Sequence, residues 1–414
     1  MEPDFTFDFL STYKLLKGKF NITDPEIYIE ELELKIKSHQ FSSEPVEEMM
    51  EDNSAPSKLF KALTRFFLSH NEYSDKYLFH KLEMRDSEIL ENINFRYFVF
   101  NASGTENSES AIIMLHGLNE KLWEKYLPWA YAVSKMTGKP VILFPLAFHM
   151  NRAPVEWSDF RLMNNIVKER NNLLPGISES CFANTALSAR LQFVPLRFLS
   201  SGLQSFNDIT QLSKSILAGE IEGLEKIKHI DLFGYSIGAF VTQILMMRNP
   251  ENLFTNSKGF LFCGGPLMQH MTPVSRAIMD SAAAEAIEDF YVINFDNNLQ
   301  RDEALRKMLE KHNQNGEIFK SMISHDRNKE LRESIFEKIS DRLFCLGLLK
   351  DNVMSAEGIF RTFRIKGRKN PGIEIDDFNY KYSHENPFPL LDKLSEDLNE
   401  TFFRVFRKAS LFLS

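Results

Sequence analysis

Along this chain, unbroken apolar runs alternate with stretches whose apolar positions recur every three to four residues. Asn94-Phe95-Arg96-Tyr97-Phe98-Val99-Phe100 alternates in the manner of a strand. The runs 111–115 and 141–145 are solidly apolar, as in strands covered on both faces. Between them, 120–136 reads as a helix closed by Gly138. A Pro-punctuated, irregular segment follows. The pattern then predicts a helix over 203–217, a strand over 228–235, an apolar helix directly behind it and a strand over 259–265. Residues 266–340 read as a long helical insertion, with 282–287 and 305–318 its clearest helices. Strand signal resumes over 342–349, and a short helix (356–363), a strand (372–378) and a terminal helix (about 389–412) complete the chain.

Residues 1–91 read differently, as a polar, helical extension without a chemical motif. Periodic apolar positions predict helices over 27–36 and 59–68, separated by the acidic stretch 44–52. Strands alternating with helices imply βαβ units and a mostly parallel sheet. The expected class is therefore α/β: a core of 92–265 and 341–414, a helical lid or cap insertion at 266–340, and the extension at 1–91.

The sharpest chemical signal is Gly234-Tyr235-Ser236-Ile237-Gly238, set between the apolar run 230–233 and the apolar stretch 239–247. A short strand, a G-x-S-x-G and a helix in that order make a nucleophile elbow. The serine sits at the tip of a tight turn with unfavourable backbone angles, and the neighbouring turns pass so close that glycine is required on either side. On the pentapeptide alone, a plain glycine–serine loop is the alternative.

With Leu115-His116-Gly117 after an early strand, this elbow, and an acid and a histidine at later strand ends, the chain resembles the α/β-hydrolase superfamily over roughly 92–414. It also looks like members of an uncharacterised bacterial branch of that superfamily, which supplies a fold without a substrate. The superfamily's triad runs nucleophile, acid, histidine along the chain. His384 is the only histidine beyond position 351, and it falls in a polar loop after the last strand. Asp351, in Gly347-Leu348-Leu349-Lys350-Asp351, matches the strand-end acid; Asp376 and Asp377 are the rivals. The resemblance thus implies Ser236 as nucleophile, His384 as general base and acid, and Asp351 as the orienting carboxylate. It implies an oxyanion hole from the amides of Leu118 and Ile237, with His116 supporting its loop, and neither metal nor organic cofactor. An esterase-, lipase- or thioesterase-like enzyme on a small acyl substrate is the expectation. An acyltransferase of the same fold and a non-catalytic binding protein are the alternatives.

Around this constellation, His149, Arg152 and Trp157 leave the sheet edge where open α/β sheets place ligands, and are candidates for substrate contact, with a loop tied down by its own salt bridges and stacking as the equal alternative. Arg190 and Arg197, interleaved with Phe193 and Phe198, follow. Met268, Met271, Met279 and Phe290 are candidates for an apolar acyl pocket, methionine being adaptable in shape. The basic, amphipathic terminal stretch fits either packing on the sheet or resting on a membrane surface, and family position favours the sheet.

Composition narrows the rest. A net charge of −8 argues against nucleic acid as the main partner. Thirty-seven phenylalanines favour large apolar surfaces. Three cysteines (Cys181, Cys263 and Cys345) at no metal-like spacing argue against a disulfide framework or a zinc site. No basic-then-apolar leader and no apolar run of spanning length are evident, so a cytoplasmic location is expected.

Overall fold

A computed structural model describes residues 7–46, 84–311 and 313–414. Among these residues nine strands form one sheet: β1 (Glu26–Ile29), β2 (Leu34–Ser42), β3 (Asn94–Ala102), β4 (Ser110–Leu115), β5 (Val141–Leu143), β6 (His229–Tyr235), β7 (Gly259–Phe262), β8 (Leu343–Leu348) and β9 (Gly372–Asp376). Their order is β1-β2-β3-β5-β4-β6-β7-β8-β9. From β5 to β9 every pairing is parallel, whereas β1, β2 and β3 run antiparallel to their neighbours. The sheet is mostly parallel and flanked by helices, as the alternation of runs predicts.

Both faces of the central strands are covered. Along β4, Ala111, Ile113 and Leu115 enter one apolar cluster while Ile112 and Met114 enter the other, as the two-residue side-chain period requires. The first cluster lies under the helices Leu196–Leu217 and Ile237–Arg248 and the helices of the 281–338 region. The second is closed by Phe9–Lys19, Leu127–Thr137 and the terminal helix Ser395–Leu413. The terminal helix packs inward: Phe402 and Phe406 are fully buried, and Phe406 meets Trp129 at 5.5 Å and Phe233 at 6.1 Å. Its cations lie along the edge, where Arg404 pairs with Asp376 at 3.0 Å and Lys408 with Glu374.

Several boundaries depart from the sequence pattern. The helix expected over 27–36 is instead β1, a tight turn and β2, hydrogen-bonded to β3. Ile27 and Ile29, then Leu34 and Ile36, alternate at a period of two, and the left-handed Glu33 (φ 48°) between them breaks any helix. The helix expected over 59–68 and most of the acidic stretch lie outside the described residues. The helix expected from 120 starts only at Leu127, with Pro128 in its first turn, where the missing amide proton does no harm. Residues 120–126 form a loop that matters below. Helices also run over Phe160–Leu173 and Thr185–Phe193, in the segment that reads as irregular, and the single helix expected over 305–318 is two.

Candidate active site

β6 delivers Ser236 to the sheet's upper edge, and the helix Ile237–Arg248 begins at the next residue. Ser236 adopts φ 57°, ψ −119°, a combination that L-residues avoid and that costs on the order of 1–3 kcal/mol. The surrounding backbone enforces it. Ser236 N–H donates to Phe262 O at 3.1 Å and Gly238 N–H to His116 O at 3.1 Å. A Cβ on Gly234 would stand 2.5 Å from Gly238 O, and one on Gly238 would stand 2.5 Å from Leu115 O and 2.7 Å from His116 O. The G-x-S-x-G spacing is thus a consequence of strand–helix crowding. We expect Gly238→Ala to cost roughly 1–3 kcal/mol through overpacking, read as a lower urea midpoint, because only backbone surrounds the site. A midpoint equal to wild type would show the turn to be looser than this.

Three side chains distant in sequence meet here. Ser236 Oγ lies 2.7 Å from His384 Nε2, and His384 Nδ1 lies 2.7 Å from Asp351 Oδ2. Each of the three residues is 3 % exposed. Asp351 follows β8 in a turn where its Oδ1 accepts from the amides of Val353 (2.9 Å) and Met354 (2.8 Å). One carboxylate oxygen is thereby held by backbone and the other is left to the imidazole. A carboxylate at Nδ1 fixes the proton on that nitrogen and turns the Nε2 lone pair toward the serine hydroxyl. The rival acids are engaged elsewhere: Asp376 with Arg404, and Asp377 with Lys350 (2.8 Å) and the Tyr382 hydroxyl (2.8 Å).

His116 holds the loop after β4. Its Nε2 accepts from the Leu146 amide at 2.9 Å, so Nδ1, 2.8 Å from Gly117 O, carries the proton. Burial, reinforced by His149 beside it, pushes its pKa well below the ordinary histidine value. Leu118 follows this loop and lines a cavity together with Ser236 and Ile237. Met268, Met271 and Met279 line the same cavity; Phe290 instead packs edge-on to Tyr291 at 4.9 Å.

The remaining candidates separate. His149 and Trp157 line a neighbouring cleft that also reaches Leu118 and Phe198. Arg152 does not line it and instead fits the alternative reading, a loop tied down by its own ion pairs. Its guanidinium is fully buried, paired with Asp208 at 2.8 Å, and bonded to Asn92 Oδ1 and Pro145 O at 3.0 Å each. A buried guanidinium needs such partners for its donors, and these lie in the core below the loop. Arg190 and Arg197 share Asp86.

The sequence pattern gives no sign of a network that joins the loop of Gly117 to the loop of His384. Gly117 N–H donates to the Tyr126 hydroxyl (2.9 Å), which donates to Glu120 (3.0 Å). Lys125 pairs with Glu120 and donates to Glu385 O at 3.0 Å, its ammonium 4.8 Å from the Tyr235 ring centre. The Tyr235 hydroxyl in turn donates to His384 O. Tyr235 is one of the two variable residues of the pentapeptide, and Glu120, Lys125 and Tyr126 fall in a stretch that reads as plain helix, so no motif marks them.

Two of the buried histidines, His116 and His149, make stability pH-dependent. Burial lowers His149 to about 4 and His116 well below its ordinary value. Between those values and about 6.5 the unfolded chain binds more protons than the folded one, so stability falls as pH falls through that window. His149 alone contributes on the order of 3 kcal/mol over the full window. Urea midpoints are expected to drop from pH 7 to pH 5.5; equal midpoints would contradict neutral, buried imidazoles.

Among the described residues, no group of three or more His, Cys, Asp or Glu is placed to hold a metal ion, and no helix is long and apolar enough to cross a membrane. The parallel sheet, the strained strand–serine–helix turn and the chain order Ser, Asp, His are the α/β-hydrolase arrangement.

Solved structures similar to this chain include esterase Est22 (11 % identity over 93 % of this chain and 84 % of that one, TM-score 0.43). Carboxyl esterase 2 of the mycorrhizal fungus Tuber melanosporum is 10 % identical over 78 % and 82 %, with a TM-score of 0.43. A thermostable esterase from Pseudomonas putida ECU1011 is 9 % identical over 88 % and 99 %, also at 0.43. No curated protein sequence matches the chain. A family model matches residues 7–414, and the chain therefore belongs to the family of unknown function DUF6051.

Proposed function

We propose that this protein is a serine hydrolase that cleaves an acyl ester through an acyl-serine intermediate. The observation that carries this reading is the unbroken relay from Ser236 Oγ through His384 to Asp351, both links at 2.7 Å, at the wall of a cavity. The serine hydroxyl attacks the ester carbonyl as His384 Nε2 takes its proton. The tetrahedral oxyanion is held by the amides of Ile237, at a helix N-terminus where amides lack intrahelical partners, and of Leu118. As the ester C–O bond breaks, His384 returns the proton to the departing alkoxide. A water then repeats the sequence on the acyl-serine, restoring the hydroxyl and releasing the acid. Asp351 keeps the imidazole in the competent tautomer and balances its charge when protonated.

The 281–338 helices serve in this reading as a cap. Ala284, Ile287 and Val292 from that region wall the cavity and limit water at the reacting centre. A fluorophosphonate probe tests the proposal directly. It should label the folded wild-type protein at Ser236, and Ser236→Ala should abolish the label. A folded wild-type protein that stays unlabelled would favour the non-catalytic alternative.

A further inference from the structure

Beside the Ser236 cavity lies a second hollow, sunk between the helix Leu196–Leu217 and the elbow helix Ile237–Arg248. The two spaces share Leu118, Phe198 and Ile237 as a common wall. Two of those three residues are the ones whose amides face the oxyanion in the reaction proposed above. The hollow begins, then, where a carbonyl bound at Ser236 would project its substituent.

The two spaces differ in chemistry. Among the described residues, no charged side chain lines the second hollow; Leu203, Phe206, Phe240, Val241 and Phe319 dominate it. Its few polar groups are mostly bonded within the protein. Ser205 Oγ accepts from the Ala147 amide (2.9 Å) and donates to Ser201 O (2.8 Å), while Asn315 Oδ1 accepts from Arg248 Nε (2.8 Å). His149, kept neutral by burial, is the exception: its Nε2 is buried with no hydrogen-bond partner among the described residues. The Ser236 cavity, by contrast, carries Gln269, Thr272 and the exposed carboxylate of Glu288. A polar leaving group is tolerated there and excluded from the hollow, where its hydrogen bonds to water would not be replaced.

We infer that the substrate is an ester of an aliphatic acid, whose acyl chain passes Leu118 and Phe198 into this hollow while the alcohol portion stays in the Ser236 cavity. The inference rests on the hydrolase reading and narrows it to a substrate class. Each methylene that enters is removed from water, worth about 0.8 kcal/mol or roughly fourfold in kcat/KM. Rates on p-nitrophenyl esters are therefore expected to climb with acyl length until the hollow is full.

Gly202 supplies the test. It lines the hollow, and a Cβ built on it meets nothing within 4 Å. In Gly202→Leu the new side chain enters open space on a helix that prefers leucine to glycine, so the melting temperature should hold or rise. The ratio of kcat/KM on decanoyl over acetyl esters should fall at least tenfold. An unchanged ratio in the folded variant overturns the assignment. A second arm works without turnover: 1-decanol should bind Ser236→Ala at least tenfold more tightly than Ser236→Ala/Gly202→Leu, and equal affinities sink the hollow as a chain site. If decanol binding follows this pattern while the wild type neither turns over esters nor takes a fluorophosphonate, the hydrolase reading fails and the hollow stands as an apolar binding site.

Discussion

Ser236→Ala is expected to lower kcat/KM on a p-nitrophenyl ester by roughly ten-thousand- to a million-fold, with the melting temperature little changed. The size of the loss follows from the relay. Without Oγ, the His384 imidazole has no hydroxyl to deprotonate, and the residual rate reflects only binding and oxyanion donors. The small structural effect follows from the turn. Alanine keeps a Cβ at φ 57°, so the strain in the elbow is unchanged, and the glycines that create the crowding are untouched. Non-additivity sharpens the test, because groups that act as one unit are removed together by the first substitution. Adding His384→Ala to Ser236→Ala should therefore cost little further activity. A Ser236→Ala protein with near-wild-type turnover, or a second large loss in the double variant, would mean that the two side chains do not act in one step.

Much of this site was legible because its constraints are local. The glycines at 234 and 238 are demanded by backbone atoms within a few residues or on the adjoining strand, and such crowding leaves a fixed spacing in the sequence. Asp351 and His384 were reachable through chain order, since each follows a strand whose apolar run is readable. What stayed hidden depends on partners far away in sequence. β2 is fixed as a strand by β3, more than fifty residues later, which pairs with it; the short period-two alternation of Leu34 and Ile36 is masked when 27–36 is read as one segment. Arg152 looked available for a ligand because its acid, Asp208, sits on a distant helix and leaves no trace beside it. The same holds for Glu120 and Lys125, whose contacts with Tyr126 and with the His384 loop arise only because the helix begins seven residues later than its apolar period indicates.

Asp351→Asn is expected to reduce turnover by about ten-thousand-fold while leaving the fold intact, the scale seen when a triad acid is replaced by its amide. The direction follows from the hydrogen bonds at this turn. The amides of Val353 and Met354 are donors aimed at Oδ1, so an asparagine must place its carbonyl there. Its NH₂ group is then forced toward His384 Nδ1, at the position the second carboxylate oxygen occupies. Two donors cannot face each other, so the imidazole proton moves to Nε2, and the nitrogen facing Ser236 loses the lone pair that would accept the serine proton. Asp376→Asn and Asp377→Asn provide the contrast. They remove charges paired with Arg404 and Lys350 near the surface, where an ion pair contributes at most about 1 kcal/mol, and neither touches the imidazole. Both should keep near-wild-type kcat. An active Asp351→Asn beside a crippled Asp376→Asn or Asp377→Asn would transfer the orienting role to the later pair, and would require His384 to leave the position in which it is held by the Tyr235 hydroxyl and the 383–386 turn.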